Sequence, residues 1–188
     1  MSHPEFPAEL PPIPDNPYIF LGGTCGGSDW RDDFTRAMHY NIAESDTKIM
    51  KSALTLDPRV SDWTQGVVNA EGEAKDKATG LVFYLGDPED PSSRASMYSG
   101  AEAMLYSLTR PLDTAVILDI TSPWSTRHDD RQRMNLAKLI YDNSPETTIA
   151  WSTNDATRWA ACKLLGLPYV QKVPAGTEKY TPWFDVTA

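Results

Sequence analysis

From Tyr18 onward, short apolar runs alternate with longer segments in which apolar residues recur every three or four positions. Each switch is marked by Gly, Pro, Asp or Ser. The short runs predict strands at Tyr18–Leu21, Ala53–Leu56, Leu81–Leu85, Ala115–Leu118 and Thr148–Trp151. The helical spacing predicts helices at Trp30–Ala43, Val67–Lys77, Met97–Leu108, Arg131–Tyr141 and Ala156–Leu165. Such alternation predicts an α/β fold, a doubly wound and mainly parallel sheet with helices on both faces. In that architecture sites form outside the carboxyl ends of the strands, which directs attention to the segments after the first and third strands. Thr121–Arg133 reads as a long loop leading into a charged helix start. Asp129 and Asp130 suit the positive end of a helix dipole better than a metal.

The pattern does not extend to the N-terminus. Six of the 15 prolines fall within the first 17 residues, which therefore cannot form a helix. Residues 1–17 read as an extended arm, either a disordered leader or a segment packed along a neighbouring subunit, and residues 18–188 as one domain. No apolar run approaches the ~20 residues needed to span a bilayer, and the first ten residues lack the charged start and apolar stretch of a signal peptide. A cytoplasmic protein without a membrane partner is the expectation.

Charge narrows the partners. With 26 acidic against 17 basic residues, the surface repels phosphate polymers, so a nucleic acid polymer is not an expected partner. A small nucleotide is not excluded, because one loop of backbone N–H groups can hold a phosphate on an acidic protein. Cys25 and Cys162 form neither a disulfide framework nor a zinc spacing, and His3, His39 and His128 are scattered. Neither a metal nor another cofactor is expected.

The segment YIFLGGTCGGSDWRDDF places a strand, then GGTCGGS, then a helix opening with Asp29, Trp30 and Arg31. Its glycines let the backbone approach a ligand closely, and the free N–H groups of the helix start point into the same space. A phosphate or a sugar hydroxyl fits there, and so does a plain strand-to-helix turn with Ser28 as N-cap. The loop is neither a Walker A sequence nor a match to GxGxxG. A thiol enzyme built on Cys25 is a further reading, without a histidine near it in sequence to activate it.

After the third strand, GDPEDPSSRAS leads into the helix MYSGAEAMLYSL, with Ser96 as the expected N-cap and Glu102 in the second turn. Met97, Ala101, Met104, Leu105 and Leu108 form an apolar stripe, with Tyr98, Glu102 and Tyr106 on a neighbouring edge. A helix start favours an ionised carboxylate, and tyrosines can orient it. Those are the needs of a nucleophile at an anomeric carbon. On the residues alone, Glu102 fits either that role or a solvated position on the helix surface.

FLGGTCGGSDWRDDF, Asp62-Trp63-Thr64, the charged helix AEGEAKDK and YSGAEAML, in this order, resemble the nucleoside 2-deoxyribosyltransferase-like proteins, over about Tyr18 to Asp119. The resemblance implies a flavodoxin-like five-stranded domain. It also implies that Glu102, in Gly100-Ala101-Glu102, attacks C1′ of a 2′-deoxynucleoside or its 5′-monophosphate and releases the base. A second free nucleobase, or water in a hydrolase branch, then resolves the deoxyribosyl-enzyme ester.

The substrate would lie along Gly22, Gly23, Thr24, Cys25, Gly26, Gly27, Ser28, Asp29 and Arg31, with Trp63, Tyr98 and Ser99 completing the pocket. Members assemble as homo-oligomers, which makes the arm and the tail TEKYTPWFDVTA candidate subunit contacts. The chain departs from the family where an acidic residue usually precedes the third strand, here Gly80, and where an Asp or Asn precedes the glutamate, here Ser93 or Ser96. The acid that protonates the leaving base is then sought in the charged helix, at Glu71 or Glu73, with Glu71 better spaced. The departure at Gly80 equally suits a non-catalytic nucleotide-binding or sensor module.

Overall fold

A computed structural model of the chain describes residues 6–23, 29–43, 54–86, 97–118 and 127–170. Strands β1 (Ile19–Gly23), β2 (Thr55–Leu56), β3 (Gly80–Tyr84), β4 (Thr114–Ile117) and β5 (Thr148–Ala150) form one parallel sheet in the order β2-β1-β3-β4-β5. Helices α1 (Trp30–Ala43), α2 (Gln65–Lys77), α3 (Met97–Thr109), α4 (Arg127–Asn143) and α5 (Thr153–Leu165) alternate with them. This is the expected flavodoxin-like arrangement. Its winding reverses between β1 and β3, the place where such folds open a crevice.

Strand alternation sorts the core into two layers. Ile19 and Leu21 of β1, with Val82 and Tyr84 of β3, meet Phe34 and Met38 of α1 and Trp159 and Ala160 of α5. On the other face, Phe20, Leu81 and Phe83 meet Ala74 of α2, Ala103 of α3, and Met134 and Ile140 of α4. Helix ends follow local chemistry: Thr64 accepts a bond from the Val67 N–H at 3.3 Å, and Ser152 accepts one from Asp155 at 3.2 Å. Gly166 closes α5 with φ 65°, a conformation that favours glycine. Among the described residues no helix is long and apolar enough to cross a membrane.

Four expectations need correction. The first two glycines do not belong to a loop, because Gly22 and Gly23 pair with Phe83 and Tyr84 and extend β1. The fourth helix starts at Arg127, since a polar first turn carries no apolar period to reveal it. Residues 6–17 of the arm lie along their own domain: Pro7 accepts a bond from the Ser61 N–H at 2.9 Å, and Leu10 and Ile13 pack on the core.

The fourth correction concerns α3. Its inward face is Ser99, Ala103 and Ser107, whereas Leu105 and Leu108 of the expected apolar stripe are about half exposed. Small side chains spaced four apart let α3 lie close to the sheet. That close approach brings the neighbouring Glu102 and Tyr106 partly inside.

Candidate active site

The buried positions of α2 are Val67, Glu71, Ala74 and Lys75, so two charged residues occupy the face a helix normally reserves for apolar ones. Lys75 donates to Glu71 Oε1 at 2.9 Å and to Glu102 Oε1 on α3. Its side chain is 5% exposed, against 8% for Glu71 and 14% for Glu102, which leaves Glu102 the most open of the three. The ammonium lies 5.3 Å from the centre of the Phe20 ring and 6.0 Å from that of Tyr106, so aromatic faces line its inner side. Tyr106 stacks on Phe83 at 5.7 Å, tying this floor to β3.

One ammonium serves two carboxylates, and the electrostatics follow. Burial pushes the Glu71 carboxyl above its ordinary range, against the opposing pull of Lys75; the charge of Glu102 raises it further, and Arg31 lowers it. Burial pulls Lys75 down, but its bonds to both glutamates outweigh that and leave it raised. Lys75 is therefore held as a cation, and Glu71 gives up its proton less readily than an exposed carboxyl does. The Tyr98 hydroxyl is also raised, chiefly by the charge of Glu102, which places the phenol within the electrostatic reach of that carboxylate.

The end of β1 is built around close approaches. A side chain on Gly22 would place its Cβ 2.7 Å from the Phe83 ring, and one on Gly23, at φ 109°, 2.2 Å from the Tyr84 carbonyl oxygen. Both positions therefore require glycine for packing reasons alone. The Asp29 carbonyl accepts a bond from the Asp33 N–H at 3.0 Å and opens α1. Trp30 then stacks on Tyr84 with ring centroids 4.9 Å apart.

Arg31 is 1% exposed, and its guanidinium donates to the carbonyls of Leu21 and Gly23 at 3.2 Å each. It also pairs with Asp57 at 3.4 Å. The guanidinium is thus engaged with the backbone at the end of β1 and with Asp57.

The remaining expected positions divide. Tyr98 is 66% exposed and Trp63 51% exposed, both leading their helices at the carboxyl edge of the sheet, whereas Ser99 is buried. Of the two candidate acids, Glu73 pairs with Lys77 at 2.6 Å on the solvated side of α2, and only Glu71 joins Glu102. Thr24, Cys25, Gly26, Gly27, Ser28, Ser93 and Ser96 lie outside the described residues. Gly80 opens β3 at the amino edge, where an added Cβ would stand 3.0 Å from Ile19 and from the Trp159 ring. A side chain there would have to displace Ile19 or the Trp159 ring.

Two features escaped the sequence. Lys75 is one; its i,i+4 spacing from Glu71 is the signal in the chain that could have found it. The other is the Asp57-Pro58-Arg59 turn. There Arg59 donates to Asp57 at 2.7 Å, reaches Asp32 at 3.5 Å and lies 5.1 Å from the Phe6 ring, which binds the arm, α1 and the end of β2 together.

Among the described residues no group of three or more His, Cys, Asp or Glu side chains gathers in the manner of a metal site. A separate cleft lined by Leu112, Glu146, Thr148, Trp159, Lys163 and Tyr169 lies at the amino end of β5, and neither Glu71 nor Glu102 lines it. Compared with models of known protein families the chain matches none, and a search among curated proteins finds no relative for it.

Proposed function

We propose that this chain cleaves the N-glycosidic bond of 2′-deoxynucleosides or their 5′-monophosphates through a covalent deoxyribosyl ester on Glu102. It then passes the sugar to a second nucleobase, with transfer to water as the hydrolytic variant. The observation that carries the reading is the Glu71–Lys75–Glu102 group between α2 and α3, beside the Phe20 ring of β1. There a partly open carboxylate and a carboxyl raised by burial share one ammonium.

Acid-assisted nucleophilic displacement needs one carboxyl group to attack and another to give up a proton. Two oxygens that share one ammonium are necessarily closer than the ~6.5–9.5 Å that leaves room for an attacking water in inverting enzymes. The spacing therefore supports attack by Glu102 itself. Glu71 protonates the departing base, and the exposed ring of Tyr98, which feels the charge of Glu102, is suited to cover it. The order of the family-like motifs along the chain supports the same assignment.

The test is incubation with each deoxynucleoside and each 5′-monophosphate, with and without a second free base, followed by chromatography. A new nucleoside identifies a transferase, and free base alone a hydrolase. Base release by Glu102→Gln and Glu102→Ala proteins at the parent rate would remove the reading, and silence across the panel would favour a nucleotide-binding module.

A further inference from the structure

Lysine is among the residue types least often fully buried, yet Lys75 is 4% exposed. Among the described residues its ammonium has the two carboxylates on one side and the rings of Phe20 and Tyr106 on the other. A buried ionic link of this kind is a poor way to join two helices, because desolvating the charges offsets most of their attraction and an apolar pair does the task as well.

We propose that Lys75 is the positioning residue of this site, an ammonium shared by Glu71 and Glu102 in the free protein that passes to Glu71 alone when Glu102 becomes an ester. The inference rests on the glycosyl-transfer reading given above. In the first step a Glu102 oxygen bonds to C1′ as the C1′–N bond breaks; the electron pair leaves with the base nitrogen, which takes the proton of Glu71. In the form that reacts, Glu71 carries the proton, Lys75 is the cation and Glu102 the anion. After the step, Glu71 is the anion, Lys75 is still the cation and Glu102 is a neutral ester.

The three side chains sum to zero charge in both states, so a buried site is never asked to hold an unpaired ion. The geometry allows the exchange without movement of α2 or α3, because Lys75 already contacts both oxygens. The charged groups facing Glu71 are Lys75 on its own helix, Glu102 on α3 and Arg31 on α1, and of these Lys75 acts most strongly.

Two variants of the full chain test the proposal separately. Lys75→Met is expected to lower kcat on a deoxynucleoside at least ~100-fold, with KM within about threefold. The alkaline limb of its kcat/KM profile is expected to move upward, because Glu71 loses the cation that draws its proton away. Lys75→Arg is expected to restore kcat to within about tenfold.

Glu71→Gln tests the handover with a deoxyriboside whose leaving group departs as a stable anion and needs no proton. A residue acting only as an acid would then be dispensable. Here the variant is expected to stay at least ~10-fold slow in forming the ester, read as a deoxyribosyl mass gain on Glu102, because Lys75 is left without an anion.

Full rescue of Glu71→Gln by that leaving group overturns the proposal and leaves Glu102 as nucleophile. So does a Lys75→Met protein with the parent kcat and pH limb. A parent protein that releases base from nothing in the panel overturns the underlying reading and this inference together.

Discussion

Helix α2 carries ionic groups at two places, and they are built differently. Along its buried face, Glu71 and Lys75 meet Glu102, and their charges are compensated by one another and by ring faces. At its carboxyl end, Arg110 donates to the carbonyls of Lys75 and Ala78 at 2.7 Å each and to Asp113 at 3.2 Å. Asp113 pairs in turn with Lys163 at 2.6 Å. The second group satisfies helix-end carbonyls that would otherwise lack partners, and it lies nearer to water. The first satisfies no helix end, so stability alone gives it little reason to exist. Charges that complete the backbone explain themselves, and charges gathered away from it are candidates for chemistry.

The largest expected separation between the two groups is in activity. Glu102→Gln should lower base release at least ~10³-fold, whereas Lys163→Met at the other group should leave it within about twofold; chromatography of released base reads both. Loss of activity in both variants would mean that the two groups are one functional unit.

The glycines at the two edges of the sheet should differ next. Gly23→Ala forces a Cβ against the Tyr84 backbone at φ 109° and is expected to cost about 3 kcal/mol. Gly80→Ala meets only side chains of Ile19 and Trp159 and should cost about 1 kcal/mol. Thermal melting compares them directly, and equal losses would show that the carboxyl edge is no more tightly determined than the amino edge.

Arg110→Met should cost about 1–3 kcal/mol, because it strips two carbonyls of their donors, yet leave activity intact below the melting temperature. Urea unfolding and the base-release assay together check this. A loss of activity larger than the loss of stability would tie the amino-edge group to the site.

The smallest effect is a contrast in pH dependence. Glu71 is raised above its ordinary 4.5 by burial, so the stability it contributes is present below that value and lost as pH rises through its folded value. Asp113 is lowered below its ordinary 3.8: burial opposes this, but the bonds and charges of Lys163 and Arg110 prevail. Its contribution is present above that value and lost as pH falls through the folded one. Melting temperatures of Glu71→Gln and Asp113→Asn across about pH 3–8 should diverge from the parent in opposite directions. Shifts of the same sign would show that the two groups are electrostatically alike.

Hydrophobic periodicity determined the strand and helix order, and with it the parallel doubly wound sheet, because each element must hide one apolar face or stripe. The expected cap at Ser96 placed Glu102 in the second turn of the helix after β3, where α3 has it. Periodicity could not decide which side of that helix faces inward. The apolar stripe of α3 was legible, but the sheet selected Ser99, Ala103 and Ser107 instead, since close approach rewards small volume as well as apolarity. That rotation brought Glu102 against Lys75.

The tertiary structure likewise brought Glu71, and not Glu73, beside Glu102 and buried Arg31 against the end of β1. These choices depend on contacts between α2, α3 and the end of β1, segments far apart in the chain, and local spacing carries no term for them.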